Sequence, residues 1–267
     1  MAQHIPGPLY YAQLGASGLP MFFLHSTPDD HRFWLYQTAH FSQAYRTIAV
    51  DLAGYGRSPI PQDGVTIADQ AEACWEIVDR ISSGPCIVHG NSMGSHIGYH
   101  MAHQRPDRVP ALILSGIGWS PTREPMKRWA ERYRQEGIAL RHTQVLDHLR
   151  DANKTEPFFL HYADMVCALN NPGTVGAIIA MNEALTDAEP DSFFAGIKAP
   201  TLILEGEEDR SAPTVGEVAK RIPNCALEMI PKAGHACNIE APWEYDRRAM
   251  AFLQRLGVWT LPLKGGG

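Results

Sequence analysis

Short apolar runs alternate along this chain with stretches whose apolar residues recur at helical spacing. The runs at residues 10–13, 20–24, 46–50, 85–88, 111–114, 200–205 and 226–230 are brief, rich in Val, Ile, Leu, Phe and Tyr, and bounded by Gly, Pro or polar residues. That pattern predicts strands. Between two of them, residues 67–81 carry Ala71, Cys74, Trp75 and Val78 on one helical face, which predicts an amphipathic helix. Residues 95–104 are also helix-compatible. Strands separated by helices predict an α/β fold: a mostly parallel central sheet with helices on both faces.

One stretch breaks the rhythm. Residues 117–197 separate two strands by far more chain than a crossover helix needs. Met126, Trp129 and Tyr133 stand there at helical spacing, followed by Phe158, Phe159, Tyr162, Met165 and Val166. This predicts a helical cap insertion over one edge of the sheet, with core segments 1–116 and 198–260 on either side and a flexible tail at 261–267. Most of the cap aromatics are expected to pack the insertion onto the sheet, and the others, Trp129 and Tyr133 among the candidates, to line a pocket. Arg123, Lys127, Arg128, Arg132, Arg134 and Arg141 also fall here. Lys127 and Glu131 at i, i+4 suggest a solvated face.

Composition narrows the function classes. With 267 residues, 45% hydrophobic and 19% charged, the chain can bury a sizeable core. A net charge of −6 disfavours a nucleic-acid partner. No apolar run reaches bilayer-spanning length, and residues 1–6 lack a secretory pattern. The five cysteines are scattered and odd in number, and Cys86 and Cys225 lie in strand-like runs as small buried hydrophobes. A reduced, cytoplasmic setting is expected.

The candidate chemistry centres on Gly90-Asn91-Ser92-Met93-Gly94, between the 85–88 strand and the following helix. Strand, tight turn and helix is the context in which Gly-x-Ser-x-Gly presents a nucleophilic serine. Such a serine needs a base, and the base needs an orienting acid. Gly206-Glu207-Glu208-Asp209 follows one predicted strand, and Lys232-Ala233-Gly234-His235 follows the next. Both lie at the sheet edge that also carries Ser92, where open α/β sheets bind ligands. Spacing alone leaves three rival acids, Glu207, Glu208 and Asp209.

With these motifs in place, the chain resembles the α/β-hydrolase superfamily over residues 9–256. Phe22-Phe23-Leu24-His25, the segment from Asp51 to Ser58 and Arg105-Pro106-Asp107-Arg108-Val109 also match. The resemblance implies Ser92 as nucleophile, Asp209 as acid and His235 as base. It implies an oxyanion hole made by the backbone of Thr27 and Met93, with Ser26 standing where the family usually has glycine. Ser26 is therefore a further candidate for contact with substrate. The Gly234-His235 to Glu240-Ala241-Pro242 segment is similar to 3-oxoadipate enol-lactonases and small carboxylesterases. This implies a cofactor-free serine hydrolase acting on a small ester or lactone. Asn91-Ser92-Met93-Gly94 also occurs in meta-cleavage C–C hydrolases, so that branch stays open, as does a ligand-binding homologue without catalysis.

Other tempting residues have structural readings. Asp51 with Gly54 and Gly56 reads as a shaped loop. His89, His96, His100 and His103 cluster near Ser92 in sequence. His96 and His100 have zinc-like i, i+4 spacing but no accompanying His-Glu-x-x-His pattern, so no metal site is expected.

Overall fold

The computed structural model describes residues 4–120, 124–169, 173–185 and 189–258. Arg123 and the expected tail at 261–267 lie outside them. The strands are β1 (Tyr11–Leu14), β2 (Pro20–Leu24), β3 (Arg46–Val50), β4 (Ile87–Asn91), β5 (Leu112–Ser115), β6 (Thr201–Gly206) and β7 (Cys225–Ile230). They form one sheet in the order β1-β3-β2-β4-β5-β6-β7. Only the β1–β3 pair is antiparallel. The helices of the first half are α1 (Leu35–Phe41), α2 (Ile67–Ile81) and α3 (Met93–Gln104). Between β5 and β6 lie α4 (Glu124–Glu136), α5 (Leu140–Asp147), α6 (Pro157–Cys167), α7 (Thr174–Ala184) and α8 (Asp191–Ala195), with no strand among the described residues. Helices α9 (Ala212–Arg221), α10 (Cys237–Glu240) and α11 (Pro242–Arg255) complete the chain.

The sheet is buried on both faces, which is why its central strands read as continuous apolar runs. Alternate residues feed two separate cores. Phe22, Leu24, Val88, Leu112, Leu114 and Ile203 pack on one side with α2 and α3. Met21, Phe23, Ile87, Ile113, Leu202 and Leu204 pack on the other with α1 and α11. Helix α2 begins where its sequence supplies a reciprocal cap. Thr66 Oγ1 accepts from the Asp69 amide at 3.1 Å, and the Asp69 carboxylate accepts from the Thr66 amide at 3.0 Å. Its buried face carries the expected Ala71, Cys74, Trp75 and Val78. All five cysteines are free; Cys86 is buried, while Cys225 is only half-buried because β7 is the edge strand. Among the described residues no helix is long and apolar enough to cross a membrane.

Helix α11 is anchored to α1 by a buried polar contact. Gln37 Nε2 donates to Asp246 Oδ1 at 3.0 Å and to the Asn238 carbonyl at 3.1 Å. Asp246 Oδ2 is buried without a hydrogen-bond partner. Burial pushes this carboxyl up to about 7, against a small opposing effect from the Gln37 contact. The folded value lies above the ordinary 3.8, so the folded state holds the proton more tightly. The stabilisation this gives is complete in acid and is lost as pH rises through about 7. Asp246→Asn should therefore raise Tm relative to wild type at pH 8 and flatten the dependence between pH 4 and pH 8. Parallel Tm-against-pH curves for the two proteins would show that Asp246 is ionised throughout.

Candidate active site

Strand β4 ends at Asn91 and α3 starts at Met93, so Ser92 alone makes the turn. It does so at φ 53°, ψ −113°, a left-handed conformation that a serine adopts only under strain. The surroundings enforce it. The Ser92 amide donates to the Ser115 carbonyl at 2.8 Å, and the Gly94 amide donates to the His25 carbonyl at 3.1 Å. A Cβ on Gly90 would meet the Gly94 carbonyl oxygen at 2.3 Å, and one on Gly94 would meet the Leu24 carbonyl oxygen at 2.0 Å. The two flanking glycines are thus required by backbone approach. The amides of Ser95 and His96 return to the Ser92 carbonyl. That leaves the Met93 amide as the leading N–H of the helix, beside the serine.

His235 follows β7 and Asp209 follows β6. His235 Nδ1 donates to Asp209 Oδ2 at 2.8 Å, and the Ser211 amide donates to Asp209 Oδ1 at 3.0 Å. Burial alone would push the Asp209 carboxyl up. The His235 ring beside it, with hydrogen bonds from His235, Glu205 and the Ser211 amide, holds it well below the carboxylate range. Glu207 and Glu208 are exposed, and Glu208 reaches Arg150 at 3.3 Å. Of the three rival acids, only Asp209 meets the histidine.

Ser92, His235, Asp209, Thr27 and Met93 all line one cavity of about 520 Å³. Trp129 lines it too, with its ring under the Arg132 guanidinium at 4.9 Å. The other two pocket candidates are displaced from it. Tyr133 is fully buried and donates to Gln144 Oε1 at 2.6 Å, so the ring supports Gln144, which does line the cavity. Ser26 is fully buried, and its hydroxyl donates to the Thr27 carbonyl at 2.9 Å. Among the described residues, the non-glycine positions with positive φ are Ser92, Asn224 and Lys232. Ser26 is not one of them, which is how serine fits where glycine is usual.

The loop after β2 is stitched from inside. His25 Nδ1 donates to the Ser26 carbonyl at 2.8 Å, while Nε2 accepts from the Leu52 amide at 3.0 Å. Thr27 Oγ1 is hydrogen-bonded to the Tyr55 hydroxyl. Of the cap cations, Arg128 and Arg132 line the cavity. Arg141 is buried, its Nε donating to the Pro28 carbonyl at 2.8 Å. Lys127 pairs with Glu124 at 3.0 Å rather than with Glu131.

A profile for the alpha/beta hydrolase fold matches residues 20–242. The chain belongs to this family. It is 28% identical over 239 residues to the AB hydrolase superfamily protein YisY of Bacillus subtilis, covering 84% of this chain and 87% of that one. It is 27% identical over 270 residues to a 2-hydroxy-6-oxononadienedioate/2-hydroxy-6-oxononatrienedioate hydrolase of Burkholderia vietnamiensis, covering 92% and 91%. The enol-lactonase of Burkholderia xenovorans superposes with a TM-score of 0.82 at 24% identity, covering 92% of this chain and 96% of that one.

Several residues of this α/β-hydrolase that organise the site carry no motif of their own. Asn91 Nδ2 donates to Ser115 Oγ at 2.9 Å and to the His235 carbonyl at 3.0 Å, tying the elbow to the histidine loop. Glu240 was legible only as part of a pattern. Its carboxylate accepts from the Gly234 amide at 2.6 Å, the Arg150 amide at 2.8 Å and Asn153 Nδ2 at 2.9 Å, clamping the histidine loop to the cap. Asp51 is the loop organiser expected, with Oδ1 taking the His31 amide and ring at 2.7 Å and Oδ2 taking the Arg57 amide at 2.9 Å. Asp30, His31 and Asp51 bring donor atoms within 4.8 Å of one another. Their carboxylate oxygens are all engaged, those of Asp30 by Arg32 at 2.7 to 2.9 Å. The histidines near Ser92 in sequence diverge in space. His100 bonds to Glu189 at 2.8 Å, and His96 bonds to the Tyr99 hydroxyl. His89 points to the opposite core, against Phe23 and Phe41, where burial pushes it down to about 3.

Glu205, on β6, is fully buried behind the acid. Its oxygens accept from the Ser211 hydroxyl and, at 3.3 Å, from the Ile117 amide. Burial and the neighbouring Asp209 charge push Glu205 well above the carboxylate range. The upward shift favours the protonated form, which would donate to Asp209. Glu205→Gln keeps a donor and an acceptor in the same place, and its Tm at pH 7 should equal or exceed that of wild type. Glu205→Ala leaves Asp209, Ser211 and the Ile117 amide short of a partner and should cost about 1–3 kcal/mol. A Gln variant as unstable as the Ala variant would mean that Glu205 is ionised.

Proposed function

We propose that this protein is a cytoplasmic, cofactor-free serine hydrolase that cleaves a small carboxylic ester or lactone through an acyl-enzyme. The observation that carries the reading is the convergence of the strained Ser92 and the bonded His235–Asp209 pair on one cavity. The Asp209 carboxylate accepts from Nδ1, which leaves Nε2 as the basic nitrogen, on a ring that lines the same cavity as Ser92. His235 takes the Ser92 proton as Oγ attacks the substrate carbonyl. The ring becomes an imidazolium, and the buried Asp209 charge stabilises it. The amides of Met93 and Thr27 receive the developing oxyanion, each such donor being worth about 3 kcal/mol in a transition state. His235 then protonates the leaving alcohol or enol. Water, deprotonated by the same ring, releases the acid.

A second reading has a specific observation behind it. The Burkholderia vietnamiensis relative is named for a dienedioate hydrolase and aligns over most of the chain. C–C cleavage demands ketonisation of a dienol before the carbonyl can be attacked, whereas ester cleavage needs only a polarised carbonyl. A panel of short p-nitrophenyl esters, small lactones and a meta-cleavage diketone, assayed with a chelator and no added cofactor, separates the two. Esters or lactones should turn over. Efficient diketone cleavage with negligible ester and lactone turnover would reverse the assignment.

The roles within the site are tested separately. A fluorophosphonate probe should label wild type and leave Ser92→Ala unlabelled while both remain folded. Asp209→Asn should lower kcat by about 10⁴-fold, because the amide no longer holds the working tautomer. Glu208→Gln, at an exposed position, should stay within about twofold of wild type. Comparable losses in the two acid variants would remove Asp209 from its role.

A further inference from the structure

His148 follows α5, in the insertion, and is only 5% exposed. Its ring lies 4.5 Å from that of His235, centroid to centroid, and lines the same cavity as Ser92. Nδ1 is buried without a hydrogen-bond partner. The nearest acid to it is Asp29 Oδ2, 3.8 Å away and equally without a partner. Asp29 belongs to the loop after β2, two residues beyond Thr27. It is almost wholly buried, and its Oδ1 accepts from the Tyr162 hydroxyl at 2.7 Å. Two orphaned polar atoms therefore lie 3.8 Å apart, about 1 Å beyond hydrogen-bond length. With Nδ1–H turned to Asp29, Nε2 is left as an acceptor on a ring that lines the cavity.

The placement of this ring relative to His235 is held by backbone bonds. The Ala236 amide donates to the His148 carbonyl at 3.0 Å. Two residues on, the Arg150 amide shares the Glu240 carboxylate with the Gly234 amide. Burial first, and then the charge of His235, lower His148 from its usual value, against an opposing effect from Asp29.

We propose that His148, oriented by Asp29, is a second catalytic histidine that binds the hydrolytic water of the deacylation step. This rests on the serine-hydrolase reading above. In that step one water hydrogen passes to His235 Nε2 as the water oxygen bonds to the acyl carbon. The second hydrogen stays on oxygen and is held by His148 Nε2. The tetrahedral intermediate then collapses, the acyl–Oγ bond breaks, and Ser92 recovers its proton from His235. The products are the carboxylic acid and free enzyme, and His148 has only accepted a hydrogen bond. Fixing the second hydrogen aims a lone pair of the water at the carbonyl.

The test separates acylation from deacylation in the full-length protein. With a p-nitrophenyl ester, His148→Phe should keep the burst of p-nitrophenol and the fluorophosphonate labelling of Ser92. Its deacylation rate should fall about 10-fold or more, with acyl-enzyme accumulating in the intact mass spectrum. His148→Gln, whose Oε1 can reach the Nε2 position, should stay within about threefold of wild type. A packing role predicts the reverse order, since Phe fills the ring's space and Gln does not. Asp29→Asn keeps the side-chain shape but can present N–H to Nδ1, and it should slow deacylation without reducing the burst. Deacylation at the wild-type rate in His148→Phe, or equal losses in burst and deacylation, overturns the proposal. If wild type itself shows neither burst nor labelling, the serine-hydrolase reading fails first and this inference falls with it.

Discussion

The close approach of β4, α3 and the ends of β2 and β5 around Ser92 is the constraint on which the site depends. A turn made by one residue between a strand and a helix leaves no room for a Cβ at Gly90 or Gly94, two residues to either side. It also forces the central residue to positive φ. An isolated peptide would relax such strain, because a non-glycine residue held there costs about 1–3 kcal/mol. The sheet does not permit that relaxation. Ser92 and Gly94 are both hydrogen-bonded to neighbouring strand ends, through Ser115 and His25. The strain therefore stands against cores on both faces of the sheet, which cannot give at one strand without opening the other. The serine oxygen and the leading amide of α3 are presented to the cavity before any substrate arrives, and that is the condition for electrostatic preorganisation.

From this fixed point the other groups are placed by buried polar ties. Asn91 joins the elbow to the histidine loop, and Glu205 backs the acid from within β6. Glu240 closes the histidine loop against the insertion. Each tie puts a polar group where water cannot reach, so each is expensive to leave half-made. Removing one partner strands the others, and the network is stiff for that reason. The opposed shifts, Glu205 upward and Asp209 downward, ease what would otherwise be a charge clash. The charge and hydrogen bond of the His235 ring favour the negative charge on Asp209 rather than on Glu205.

The sheet and the elbow were legible because their signals are local. Short apolar runs bounded by turn residues, helical spacing at Ile67–Ile81 and glycines flanking a serine are all set within a few residues. Asp209 needed the family pattern to be chosen over Glu207 and Glu208, since three adjacent acids look alike until one strand end is placed beside another. The misplaced residues failed for a related reason. Tyr133 lies on the same helix as Trp129, four residues on, yet one ring supports Gln144 while the other reaches the cavity. Helical spacing shows that two residues share a face. It does not show which of them stands at the rim of a concavity. Ser26 was read from a departure in a motif, but its conformation makes that departure harmless. Glu205 and His148 gave no signal at all, because their roles depend on contacts with residues distant in the chain.

The insertion itself divides into two halves with different obligations. Helices α5 and α6 and the turn between them are bonded to the loops that carry Thr27 and His235. Arg141 holds the Pro28 carbonyl, Tyr162 holds Asp29, the His148 carbonyl holds Ala236, and Asn153 holds Glu240. Helices α4 and α7 pack on each other and contribute Met126, Trp129 and Asn182 to the cavity wall. A side chain exchanged on α4 or α7 changes the shape offered to substrate, while the loops that carry Thr27 and His235 keep their hydrogen bonds. The same exchange on α5 or α6 would loosen those loops. Substrate preference can therefore drift through one half of the insertion without disturbing the placement of the catalytic groups. On the proposed reading, this is a physical route by which one scaffold could serve several carbonyl substrates, with Met126, Trp129 and Asn182 among the wall residues that would discriminate between them.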